Sequence, residues 1–73
     1  MIPKPNAARC VLVDGPYEID ADGAFDYAVC FGDDDGEPVG QIVRCESLAS
    51  ANDLGRELAR RYNLELVAEA TPA

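Results

Sequence analysis

Nine carboxylates and no base lie between Arg9 and Arg44: Asp14, Glu18, Asp20, Asp22, Asp26, Asp33, Asp34, Asp35 and Glu37. Three thiols, Cys10, Cys30 and Cys45, complete the set of side chains that could do chemistry, because the chain has no histidine. Without an imidazole neither a Ser-His nor a Cys-His pair can be assembled, and the base that normally activates a weak nucleophile is missing. Carboxylates can act as paired acid and base only in a cleft that desolvates one of them, which exposed turns do not provide. Among the thiols, Cys45 stands beside Arg44 and just before a helix start, the setting that lowers a thiol pKa. Cys10 and Cys30 lie in acidic or apolar strand surroundings that raise it. A structural role is expected for all three. An odd number of cysteines with no C-x-x-C pair indicates neither a zinc knuckle nor a disulfide scaffold, and points to a reducing compartment.

The acids also suggest hard-cation ligands, in Asp20-x-Asp22-Gly23 and in Asp33-Asp34-Asp35-Gly36-Glu37. Neither fits the twelve-residue calcium loop. The first has no carboxylate where a bidentate Glu should close the site, and the second is a contiguous run rather than a set of alternating ligands. Both read as plain acidic turns, and no metal or cofactor is expected.

Seventy-three residues and 48% hydrophobic content make one domain with a thin core, since a chain this short buries only about 60% of its unfolded surface. A thin core leaves little room for a deep catalytic cleft, so a non-enzymatic protein is expected. The formal net charge of −8 repels phosphate backbones and argues against direct binding of nucleic acid. It favours a positively charged partner, with association that weakens in salt. No charged-then-apolar leader and no long apolar run is present, so no membrane association is expected and a cytoplasmic location follows.

These residues must be positioned by elements that the periodicity reveals. Residues 1–7 contain two prolines and read as an extended or disordered arm with little part in the core, 8–69 form a single α+β domain, and 70–73 a loose tail. Ala8 to Val13 is an apolar, β-branched strand stopped at Asp14-Gly15-Pro16, a turn signal; Tyr17-Glu18-Ile19 offers a short second strand. Phe25 to Phe31 has period two, with Phe25, Tyr27, Val29 and Phe31 on one face and Asp26, Ala28 and Cys30 on the other. Val39 to Cys45 pairs with it as a hairpin, which sets the Asp33-Asp34-Asp35 triplet at an exposed tip. From about 48 to 62, Leu48, Ala51, Leu54 or Gly55, Leu58, Ala59 and Tyr62 recur at helical spacing, with Ser47 as N-cap and Asn63 as a left-handed C-cap. Leu64 to Glu69 alternates as a last strand. The order is β-(β)-β-β-α-β: a small, mostly antiparallel single-layer sheet of four to five short strands with one helix on one face.

One helix covers one face only. If it packs on the aromatic side of the Phe25–Phe31 strand, the outer side shows Asp26, Ala28 and Cys30. If it packs on Ala28 and Cys30, an exposed aromatic patch would mark an association surface. Acids spread over the turns from Asp14 to Asp26 and at the hairpin tip can present a row of negative charges, because same-face strand residues are about 6.6 Å apart, a spacing like that of a phosphate chain. Asp33, Asp34, Asp35 and Glu37, followed by Asp20, Asp22 and Asp26, are the expected partner-binding residues.

In size, acidity, lack of catalytic residues and single-helix α+β pattern the chain resembles the small proteins of phages and mobile elements, including anti-CRISPR inhibitors, many of which occupy a nucleic-acid-binding surface. The likeness is one of general style across the whole chain and transfers no residue roles. It implies an inhibitor or adaptor that docks a basic, nucleic-acid-binding protein surface as a DNA mimic. The competing expectation is a homodimeric assembly module associating through the uncovered sheet face.

Overall fold

The computed structural model describes residues 2–18 and 25–68. It contains four strands and one helix in the order β1 (Cys10–Glu18), β2 (Phe25–Gly32), β3 (Pro38–Cys45), α1 (Leu48–Tyr62) and β4 (Glu65–Ala68). The strands form one mixed sheet in the spatial order β3-β2-β1-β4. β2 is antiparallel to both β1 and β3, whereas β4 runs parallel to β1 at the far edge. This is the small α+β architecture expected from the sequence. No described helix is long and apolar enough to cross a membrane.

One element differs from expectation. Asp14-Gly15-Pro16 does not end a strand: β1 runs through it as a bulge, with Asp14 opposite Ala28 and Tyr17 opposite Asp26. Gly15 and Pro16 thereby oppose the single residue Tyr27, one residue extra on the β1 side, which bends the strand without ending its pairing. Gly15 has φ +131°, and a Cβ there would meet Tyr27 Cδ1 at 2.8 Å, so the bulge needs glycine both for its dihedral and for space.

The helix has both of the ends that its sequence signals. Ser47 is extended (φ −132°, ψ 153°) and its Oγ accepts from the Ser50 amide at 3.1 Å. Asn63 is left-handed (φ 54°, ψ 47°), and the Leu64 amide returns to the Ala59 carbonyl at 2.8 Å, satisfying carbonyls that the helix leaves open. Arg60 and Arg61 in the last turn suit the negative end of the helix dipole.

Val11, Val29, Phe31, Ala51 and Leu58 have no exposed surface, and Val13 and Tyr27 are nearly as buried. The helix therefore packs on the Tyr27, Val29 and Phe31 face of β2, the first of the two arrangements above. Phe31 meets Tyr62 edge to face at 5.6 Å between ring centroids. Gly55 brings the helix close to β1, since a Cβ there would lie 2.4 Å from Val13 Cγ2. The N-terminal arm contributes more than expected. Ile2 packs against the core, its carbonyl accepts the Tyr62 hydroxyl at 2.8 Å, and Pro5 lies over Gly40.

Candidate functional site

The hairpin tip is built by one of its own acids. The Asp33 carboxylate accepts the Asp35 amide at 2.9 Å and the Glu37 amide at 3.0 Å, while the Asp33 amide and carbonyl bond Glu37 and Gly36 across the turn. Asp is suited to this because its short side chain reaches amides two residues ahead. Asp33 is thus the frame of the turn, and Asp34, Asp35 and Glu37 are the carboxylates that it displays, all exposed.

Beside the tip, a shallow recess of about 310 Å³ opens between Arg9, Cys10, Asp33, Asp34, Asp35 and Glu65, with Val67 on its wall. The pairing of Cys10 with Gly32 and with Glu65 brings these together: β1 starts here, flanked by the end of β2 and the start of β4. Four acidic residues and a single arginine thus line the recess. Arg9 is partly committed, donating to the Asn6 and Ala8 carbonyls at 2.9 and 3.0 Å and lying 3.6 Å from Asp34. The Cys10 thiol is pushed up, first by burial and then by the charges of Asp33, Glu65 and Asp34, with a backbone hydrogen bond at Gly32 acting the other way.

The remaining sequence-derived residues are placed differently. Asp26 is 5% exposed and forms an ion pair with Arg44 across the β2–β3 ladder, so its charge is internally compensated. The row of acids expected between Asp14 and Asp26 loses Asp26 to burial, while Asp14 is exposed and accepts the Gly15 amide and the Tyr17 hydroxyl. Asp20 and Asp22 lie outside the described residues. Glu65 was missed by sequence reasoning. It lies 28 residues from the nearest tip acid, and only the β1–β4 pairing, which no local pattern reports, brings it to the recess.

The thiols offer no activated nucleophile. Cys45, expected to be lowered by Arg44 and the helix start, is instead raised, and burial is the cause. Arg44 cannot help because it alternates to the opposite side of β3 and is held by Asp26. Cys30 is raised mainly by burial, with smaller contributions from Asp14 and Cys10. All three cysteines are free. Among the described residues no three thiol or carboxylate groups converge as metal ligands.

The bases are largely consumed within the fold. Arg9 pairs with Asp34, Arg44 with Asp26, Arg56 with Asp53 and Arg60 with Glu57. Exposed pairs of this kind are worth little in stability. On the helix they offset part of the basic stripe, whereas Asp35 and Glu37 at the hairpin tip have no such pair among those named. Compared with protein-family models, with curated proteins and with solved structures, the chain matches none.

Proposed function

We propose that the protein is a non-enzymatic interaction module that docks a basic surface of a partner protein through its acidic hairpin end, acting as an inhibitor or adaptor. The observation that carries this reading is the Asp33-framed tip. It presents Asp34, Asp35 and Glu37 in a turn fixed by its own hydrogen bonds, beside a recess with four carboxylates and one guanidinium. A preordered acidic surface binds without first losing loop entropy, and its long-range field speeds encounter with a cation-rich partner. A partner that itself binds nucleic acid fits this chemistry, since its groove already collects phosphates; the general likeness to phage-encoded inhibitors that mimic DNA points the same way. Neither direct nucleic-acid binding nor membrane association belongs to the reading, and it places the protein in the cytoplasm.

The test is affinity capture from a host lysate at low and high salt. A chain carrying Asp34→Lys, Asp35→Lys and Glu37→Lys should lose the captured partner, while one carrying Arg60→Glu and Arg61→Glu should retain it. Asp33 is left unchanged because its loss would disturb the turn. Equal effects of the two sets would sink the reading. The alternative, a homodimer through the uncovered sheet face, is favoured by the apolar side chains on that face; sedimentation of the free protein as a strict monomer would eliminate it.

A further inference from the structure

We propose that the uncovered sheet face and the acidic recess form one continuous docking surface for a basic amphipathic helix of a partner protein, its apolar stripe on the sheet and its lysines or arginines over the recess. The inference rests on the reading above, that the acidic end meets a basic partner, and adds what the rest of the contact must be.

Three large apolar side chains stand out as exposed among the described residues, Tyr17 at 47%, Ile42 at 58% and Val67 at 55%. All three lie on the side of the sheet away from α1. Tyr17 is paired with Asp26, Ile42 precedes Val43, the partner of buried Val29, and Val67 lines the recess with Cys10 and Glu65, a pair on that side. They come from β1, β3 and β4, with half-buried Leu12 and Ala28 between them. Single exposed apolar residues need no explanation, but a set confined to one face and spanning the sheet marks an interaction surface.

Shape favours a helix as the occupant. Four strands about 4.8 Å apart place the outermost axes roughly 14 Å from each other, room for one helix about 10 Å across. That is the relation α1 already has to the other side, and a second helix would complete a helix-sheet-helix sandwich. Charge favours a basic occupant and sets its direction. Val67 lines both the recess and the face, so the apolar surface adjoins the four acidic residues there. At the opposite end of the face Arg44 and Asp26 neutralise each other and exposed Asp14 stands opposite Ala28, so a cation is drawn less strongly there than to the four acidic residues of the recess. A second copy of this chain is a poorer occupant, because isologous contact would set a formal −8 against −8.

The experiment titrates the isotope-labelled chain with two synthetic peptides of one composition. In one, leucines form a helical stripe and lysines cluster at one end; in the other, the same leucines are scattered round the helix. The striped peptide should shift the amides of Leu12, Ala28, Ile42 and Val67 together with those of Asp34 and Asp35, and bind about tenfold more tightly than the scattered one. Ile42→Glu and Val67→Glu should each weaken it by about tenfold, and Asp34→Lys with Asp35→Lys by a similar factor at low salt. Both apolar positions are more than half exposed, so the variants keep the fold, which their amide spectra check. Equal binding of the two peptides, with only the acid changes mattering, would overturn the inference and leave the acidic-end reading standing. Indifference to the acid changes as well would remove both. A free protein that sediments as a dimer, dissociated by Ile42→Glu, would assign the face to a second copy and overturn the inference.

Discussion

The two faces of the sheet are built on opposite terms. Under the helix, Val11, Val29 and Phe31 lose all contact with water, and Gly55 lets α1 approach so closely that not even a methyl group would fit. On the other side, burial is achieved without a covering layer, by small thiols (Cys10, Cys30) and by a carboxylate that carries its own counter-ion. Larger apolar groups there stay half in water. A thin domain can thus satisfy its core on one side and keep the other available. Stability is concentrated in the first face, and recognition chemistry is free to concentrate on the second and on its acidic end.

The sharpest way to break this contrast is to compare neighbours on one strand. Phe31→Ala should cost about 3–5 kcal/mol, close to the whole stability of so small a domain, whereas Cys30→Ala should cost about 1 kcal/mol or less; urea unfolding measures both. Similar losses would mean that the outer face is as structural as the inner one. Gly55→Ala comes next. In an ordinary helix it would gain about 1 kcal/mol, but here the added Cβ meets Val13 Cγ2 at 2.4 Å and a loss of about 1–3 kcal/mol is expected. Arg44→Ala should cost roughly 1–2 kcal/mol, less than the roughly 3–5 kcal/mol of breaking a fully buried pair, because Arg44 itself is largely exposed. Arg60→Ala, on the helix surface, should change stability by less than about 0.5 kcal/mol.

The smallest effect is one of pH. All three thiols are held above their ordinary value, chiefly by burial. Their contribution to stability is therefore complete below the unfolded thiol pKa and is lost as pH rises through it and then through the folded values. The urea midpoint should fall above about pH 8.5, and Cys30→Ala should make that fall shallower.

What could be read in the chain follows how local each signal is. The helix is written in consecutive residues, its apolar spacing, Ser47 and Asn63, and the structure places it at Leu48–Tyr62 with those caps. The alternation of β2 likewise shows two distinct faces, but it left open which of them meets the helix, and the structure buries Tyr27, Val29 and Phe31. Asp14-Gly15-Pro16 was misread because glycine and proline suit a turn and a bulge alike, and only pairing with β2 distinguishes them. Asp26 was misread for the same reason: its burial depends on Arg44, 18 residues away across the ladder. Within the acidic tip, the pattern identified the exposed carboxylates but not the division between Asp33, which builds the turn, and its neighbours, which face solvent.

The short β4 has a protective consequence. β1 opens with Cys-Val-Leu-Val, the most apolar strand segment in the chain, and β4 occupies its open side with residues that include Glu65. Without it, that row of amides and carbonyls would be a template for another chain, the condition under which strands join into aggregates. A chain ended at Asn63 should therefore retain the β1–β2–β3 meander yet scatter light on concentration, while the full chain stays clear. Four residues at the sheet margin would then serve less to stabilise the fold than to keep its most adhesive strand from finding its own kind.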